Sequence, residues 1–596
     1  MFKNLRPLAP YLRKYRATFY IGALCVLCNN TVWILFPMVI RDAVRDLNTQ
    51  VTVHTLLKYS LYLLAVAAVK AIFQYLTRWI LIGVSREIEF DLRNDLFAHL
   101  EQLSYSYYQR TRTGDIMARM TNDLNAVRML VGPGIMYTAN TIVFTAVSLV
   151  FMLSISPKLT LFAFLPLPVF SIVVQYFGRK IHDRFERIQA MFSEISARAQ
   201  ENFSGARLIR AYVQEEAEIE LFERANEEYI DRSLKLVRLM GMLWPTLETL
   251  LGVAIVIVLY VGGREVIQHR INVGDFAAFN TNMVQLTWPI IALGWVINIF
   301  QRGTASLRRI ENILEERPEV TDADVPAQGA PTTVRGDIEF RNLTFGYGET
   351  LQSAGNGAGE QRGGVTVLRN VNLRIPAGTS LAIVGPTGSG KSTLVSLVPR
   401  IYDAEPGSVL IDGRPVRAFP LDLLRKNIGF VPQETFLFSD TIRENIAFGA
   451  EDATDADVRR VAEAASIAAD IESFPEDYNT VVGERGLTLS GGQKQRTAIA
   501  RALIRNPRVL ILDDALSSVD THTEDRILNY LREIMQGRTT IFISHRVSTV
   551  RNADRIAVLH DGEIVEYGTH DELIDRNGYY TELYNKQLLE EELETV

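Results

Sequence analysis

Leu381-Ala-Ile-Val-Gly-Pro-Thr-Gly-Ser-Gly-Lys-Ser-Thr393 is the stretch whose reading decides the fold of this 596-residue chain. Its apolar start reads as a strand, its glycines as a turn and its end as the start of a helix. It fits G-x-x-x-x-G-K-[ST] at Gly385, Gly390, Lys391 and Ser392. Glycines let backbone N–H groups close on phosphate oxygens, and a helix N-terminus adds its dipole. The loop Gly385, Pro386, Thr387, Gly388, Ser389, Gly390, Lys391, Ser392 and Thr393 is therefore the expected phosphate cradle. Lys391 would neutralise the β- and γ-phosphates, and Ser392 would ligate Mg²⁺. Taken alone, the stretch specifies only a P-loop nucleotide hydrolase.

The residues around it narrow the class. Val509-Leu-Ile-Leu-Asp513 is an apolar run ending in an acid, the arrangement in which Asp513 holds Mg²⁺ with Ser392. Upstream, Leu489-Ser-Gly-Gly-Gln493 leads into a helical run containing Arg496. Ser490, Gly491, Gly492 and Gln493 would form a second phosphate cradle at a helix N-terminus. With these residues in place the sequence resembles the ATP-binding cassette (ABC) family, whose signature this pentapeptide is. The resemblance implies that the second cradle serves a nucleotide held by an opposite domain, so that two domains sandwich two ATP molecules. One chain has one cassette, which implies a dimer.

Further positions match the family one by one. Tyr347 resembles the aromatic that stacks on adenine. Gln433, in Val431-Pro-Gln-Glu434, resembles the glutamine that senses Mg²⁺ and faces the membrane domain. Thr480 to Gly486 resembles a loop specific to exporters, and Ser517 to Asp520 the D-loop. His545, in Ile543-Ser-His-Arg546, resembles the switch histidine at the γ-phosphate. One position departs. The residue after Asp513 is ordinarily Glu, which polarises the attacking water, and here it is Asp514. Its side chain is one methylene shorter, so a base that must lie within about 3 Å of its proton falls short. In heterodimeric family members Asp at this position marks a slow site, while the intact signature serves the partner's site. The retained His545 weighs the other way, and the resemblance favours a heterodimer over a slow homodimer.

The first half of the chain reads as membrane. Apolar stretches at about 18–40, 59–85, 129–157, 159–178, 239–263 and 276–301 are each long enough to cross a hydrocarbon core of about 30 Å as a helix. Basic residues concentrate before the first, between the second and third, and between the fourth and fifth, which places both termini in the cytoplasm. The first stretch exceeds a signal-peptide core and no small-x-small cleavage site follows it. Helical periodicity in Ile181 to Arg210 predicts that helices continue into the cytoplasm; separate small hairpins are the alternative. Tyr107 to Asp115 with Arg119 and Asn122-Asp123, and Glu201 to Asn226, resemble the two coupling regions of exporter-type transporters.

Three charges fall inside expected spans. Glu248 reads either as a contact for a cationic substrate or as a structural pair, for instance with Lys70. Arg78 is expected to snorkel to the cytoplasmic side. Cys25 and Cys28 lie in an apolar helix and read as small apolar filler. Tyr137, Phe144, Trp244 and Trp288 read as packing or interfacial anchors, or as a drug pocket.

Composition agrees with two unlike halves. A mean hydropathy of +0.07 is an average over an apolar bundle and a polar domain. A net charge of -7 gives no nucleic-acid footprint, and two cysteines cannot staple a chain of this size. The expected fold is a six-helix transmembrane bundle over 1–315, a linker over 316–335 and an α/β P-loop domain over 336–596. The Gly-rich segment 348–364 reads as a surface hairpin. By resemblance, the expected activity is ATP-driven export of a small amphipathic molecule, drug, lipid or peptide, across the cytoplasmic membrane. The expected cofactors are ATP and Mg²⁺; the expected partners are a second half-transporter, membrane lipids and a hydrophobic or amphipathic substrate. An importer, a lipid flippase and an ATP-binding regulatory subunit are the alternatives.

Overall fold

The computed structural model describes residues 2–47, 52–348, 365–450, 452–483, 486, 489–515, 537–544 and 547–594. Most of the 348–364 segment, Glu484, Arg485, Ser517 to Asp520 and His545 lie outside the described residues. The chain divides into two compact units. One comprises Met1–His99 and Gly114–Glu315, the other Leu100–Thr113 and Glu316–Val596.

The first unit is helical. Among the described residues, five helical stretches are long and apolar enough to cross a membrane: Arg16–Asp46, Val53–Gln102, Thr113–Ile155, Pro157–Ser204 and Glu215–Ile267. Their apolar side chains face outward as well as inward; Leu64 is 67% exposed and Val256 64%. Such all-round apolarity suits a lipid solvent. Several helices outrun any bilayer. The helix Glu215–Ile267 has 53 residues, about 80 Å at 1.5 Å per residue. Helix Leu167–Ser204 likewise carries the polar stretch from Ile181 to Ser204 on from its apolar start without a break, so that periodicity reflects helical extension and not a separate hairpin.

The stretch expected as a sixth span is divided. Helix Val273–Gln285 ends, Leu286 intervenes, and helix Thr287–Leu314 begins. Pro289 has no N–H to donate to the carbonyl of Gln285, which removes the bond that would carry one helix into the next. Glu248 is exposed on its helix, and among the described residues it forms no ion pair with Lys70. The Lys70 ammonium lies 3.5 Å from the centre of the Trp33 ring instead.

The second unit holds two sheets. One has four strands in the order β2-β1-β4-β5, with β1 Ile338–Tyr347, β2 Val365–Ile375, β4 Val409–Ile411 and β5 Arg414–Pro415. The other has six, in the order β10-β9-β3-β8-β7-β6. Here β3 is Ser380–Val384, β6 Ile428–Val431, β7 Val509–Asp513, β8 Thr539–Ile543, β9 Arg555–His560 and β10 Glu563–Gly568. β3 runs parallel to β8 and β9, and β7 parallel to β6 and β8. Parallel strands covered on both faces are apolar throughout, which is why Leu381–Val384 and Val509–Leu512 carry no polar residue. Alternate side chains serve two cores. Ala382, Val384, Leu510 and Leu512 pack into one; Leu381, Ile383, Val509 and Ile511 pack into the other.

Candidate nucleotide site

The six-stranded sheet brings the candidate residues to one edge. β3, β7 and β8 are parallel, so Val384, Asp513 and Ile543 all sit at carboxyl ends. Ligands in open α/β sheets bind at that end. The loop after β3 turns sharply into the short helix Lys391–Ser396. Glycine is required at two of its positions. Gly385 has φ +150°, and a Cβ there would lie 2.0 Å from the Leu559 carbonyl oxygen; Gly390 has φ +101°, and a Cβ would meet Leu368 Cδ2 at 2.8 Å.

Inside the turn, Lys391 Nζ donates to the carbonyls of Gly385 at 2.8 Å and Pro386 at 2.9 Å. Burial holds its ammonium below the ordinary lysine pKa, and the carboxylates of Asp513 and Asp514 partly offset this. Ser389 Oγ is buried and hydrogen-bonds to none of the described residues. Ser392 Oγ donates to Asp513 Oδ1 at 3.0 Å, so two residues 121 apart in sequence share one point at the mouth of the loop. A hydroxyl and a buried carboxylate converging there are hard oxygen donors of the kind Mg²⁺ takes. The orphaned Ser389 hydroxyl and the glycine-lined turn likewise fit a phosphate chain. Pro386, Thr387 and Gly388 form the exposed rim of the loop.

Asp514 follows with φ +48°, in the left-handed region. Its N–H donates to the Ile543 carbonyl at 3.1 Å, which ties it to the end of β8. Gln433 lies in the loop after β6 with its side chain exposed. Tyr347 ends β1, and its hydroxyl lies 2.9 Å from Thr393 Oγ1, which ties the candidate adenine platform to the phosphate loop.

The signature residues form a separate turn. Ser490 caps helix Gly491–Leu503 and forms a capping box with Gln493: its Oγ accepts from the Gln493 N–H, and its own N–H donates to Gln493 Oε1. Ser490 and Gly491 are exposed. The S-x-x-Q spacing was enough to predict this cap, although the stretch had been read only as a phosphate cradle.

Two residues were not found from the sequence. Asp470 accepts from Gln493 Nε2 and from Arg496 Nη1, each at 3.0 Å, and so braces the signature helix. No spacing rule links position 470 to 493. Tyr402 packs edge-on to Tyr347, with ring centres 5.3 Å apart, and to Tyr105, at 5.9 Å. Burial raises its phenol pKa above the ordinary tyrosine range. Tyr105 belongs to the segment Leu100–Thr113, which is fixed in this unit by further bonds. Ser104 Oγ accepts from the N–H groups of Glu319 and Val320, and Arg110 pairs with Glu316 at 2.7 Å.

Comparison with known proteins agrees with this geometry. The model for the ABC transporter transmembrane region matches residues 19–290, and the ABC transporter model matches 368–517. A probable multidrug resistance ABC transporter ATP-binding/permease protein of Bacillus subtilis, YheI, is 37% identical over 99% of this chain and 98% of its own length. The chain belongs to the ABC transporter family. The multidrug resistance-like ATP-binding protein MdlA of Escherichia coli is 36% identical, covering 96% of this chain and 95% of its own. An ATP-dependent lipid A-core flippase of Syntrophus aciditrophicus is 35% identical, covering 100% and 95%. The structure of a bacterial Atm1-family ABC exporter with ATP bound superposes with a TM-score of 0.77 at 30% identity, covering 96% of this chain and 98% of that one. This ABC protein is thus a multi-pass membrane protein with an exporter-type half-transporter fold, and its cassette is an ATPase coupled to transport.

Proposed function

We propose that this chain is one half of a dimeric exporter that uses ATP to move a small amphipathic molecule out across the cytoplasmic membrane, with both termini in the cytoplasm. The observation that carries this reading is that one cassette presents two separate turns, each of which we read as a half-site. A phosphate loop brings Ser392 to Asp513 at 3.0 Å, and a separate capped turn exposes Ser490 and Gly491. Two such cassettes facing each other complete two sites. The names of the relatives, which concern drugs and lipid A-core, support an amphipathic cargo.

In this reading Lys391 and the turn from Gly385 to Thr393 hold the phosphates, and Tyr347 receives the adenine ring. Ser392, Asp513 and Gln433 would hold Mg²⁺, which would neutralise phosphate charge. Asp514 orients water and accepts its proton weakly, and the family resemblance assigns the γ-phosphate to His545. Cassette closure passes to the helices through Tyr108–Gly114 and Ser204–Arg210, and the bundle then opens outward.

The test is ATP-dependent efflux of a fluorescent amphiphile by the assembled transporter in proteoliposomes. Efflux by the native complex, lowered about 10²-fold or more by Lys391→Ala, is the expected result. ATP binding without movement of dye or lipid would instead identify a regulatory subunit, and inward movement an importer.

A further inference from the structure

The helical unit contains a cavity of about 410 Å³ whose lining does not match an apolar lipid-filled cleft. Lys70 and Arg78 both line it, and no Asp or Glu does. They are eight residues apart on helix Val53–Gln102, two turns or roughly 12 Å along one face. Among the described residues neither forms an ion pair with a carboxylate. Arg78 is exposed on its helix while also lining the cavity. The helix opposite, Arg16–Leu47, contributes Asn29 and Trp33.

Three polar atoms of this lining are buried and hydrogen-bond to none of the described residues: Asn29 Oδ1, Thr77 Oγ1 and Gln285 Oε1. Asn29 is 8% exposed and Thr77 6%. Their neighbour Asn30 is satisfied, donating to Val26 O at 2.8 Å and Asn140 Oδ1 at 3.0 Å. The orphaned atoms thus belong to the cavity and not to a general shortage of partners. Buried polar groups are ordinarily paired, and charged groups within a membrane span ordinarily face a partner or a pathway. Trp33, Tyr137 and Phe144 give the same cavity an aromatic wall.

We propose that this cavity binds an amphipathic anion: a negatively charged head that carries O–H or N–H donors, joined to an apolar body. The inference rests on the exporter reading and names its substrate class. Water can satisfy an orphaned amide or hydroxyl, but it does not neutralise the half-buried Lys70 ammonium with the exposed Arg78 guanidinium beside the same cavity; an anion does. The two amide oxygens require donors beside that negative group. The aromatic wall, with Lys70 already over the Trp33 ring, takes the apolar body. Glu248, which could have drawn a cation, does not line the cavity.

The test uses the assembled transporter in phosphatidylcholine nanodiscs, without ATP. Binding of N-dodecanoylserine and of its uncharged methyl ester is measured by calorimetry against empty nanodiscs. The acid should bind about tenfold or more tighter than the ester, one decade in Kd. Lys70→Gln and Arg78→Gln should each remove most of that preference, and Lys70→Arg should retain it, which separates lost charge from lost folding. Equal affinity for acid and ester, or an unchanged preference in Lys70→Gln and Arg78→Gln, overturns the proposal. Adding phosphatidylglycerol distinguishes sources: competition supports an anionic lipid headgroup, and unchanged binding of the acid supports a non-lipid amphiphile. Binding and export fail separately. A preference for the acid without ATP-dependent efflux would sink the exporter reading alone, and efflux without that preference would sink only the anion.

Discussion

Asp514 combines two constraints, and they oppose each other. In the proposed role its side chain is one methylene short for a general base, whose contribution is of order 10²–10⁴ in rate. Its backbone lies at φ +48°, a region that Asp and Asn tolerate better than other non-glycine residues. Replacing it by Glu should therefore raise ATP turnover while adding backbone strain of about 1 kcal/mol. We expect Asp514→Glu to raise the steady-state ATPase of the purified chain at least tenfold, a part of that range, with a small loss of stability in denaturant. An unchanged rate would remove the argument from side-chain length. The strand, glycine turn and helix of the loop were legible, because a glycine motif records local backbone geometry. The Ser392–Asp513 contact was also legible, since two motifs expected to share a metal would have to meet. Asp470 was not. It acts through hydrogen bonds to Gln493 and Arg496 that only the folded chain brings together.

At the level of elements, the signature helix depends on that brace. Gln493 is already engaged in the capping box, and Asp470 fixes its free amide end while pairing with Arg496 at 3.0 Å. Asp470→Ala should cost about 1–3 kcal/mol through the partners it leaves unmet. It should also lower ATPase in the assembled transporter about tenfold, while nucleotide affinity at the chain's own P-loop stays unchanged. Equal losses of affinity and rate would point to general unfolding of the cassette. The short helix Tyr105–Arg110 poses a related question. Its segment groups with the cassette unit through Ser104, Arg110 and the Tyr105–Tyr402 ring contact. Ser104→Ala combined with Arg110→Ala should weaken stimulation of ATPase by transported amphiphiles more than basal ATPase. A proportional fall in both would deny the segment a coupling role. The sequence marked Tyr107 to Asp115 as a coupling region by resemblance alone; the bonds from Ser104 to Glu319 and from Arg110 to Glu316 join residues too far apart for any spacing rule. The break at Leu286 was missed for the opposite reason. Apolarity over 276–301 carries no mark of the hydrogen bond that Pro289 removes.

At the scale of the whole molecule, hydropathy separated an apolar helical unit from an α/β unit because the two face different solvents. What it could not contain is the second subunit. On the proposed reading each nucleotide site takes a P-loop from one cassette and a signature from the other, so the two copies of a homodimer would both carry Asp514. Both sites would then be slow. In a heterodimer, this chain's intact Ser490–Gln493 turn would serve a partner site with a full-length base, and one fast site would suffice. We therefore expect native mass spectrometry of the complex isolated from its own membrane to show this 67.1 kDa chain bound to a different chain. Its ATPase should exceed that of the chain alone at least tenfold, because the general base accounts for at least that much. Asp514→Glu should then change the complex far less than it changes the isolated chain, since the fast site lies on the partner. A complex of two identical chains that turns over ATP as fast as the Asp514→Glu variant would refute the heterodimer and the slow site together. In that case the left-handed backbone at Asp514 would have to bring the shorter carboxylate forward far enough to replace the missing methylene.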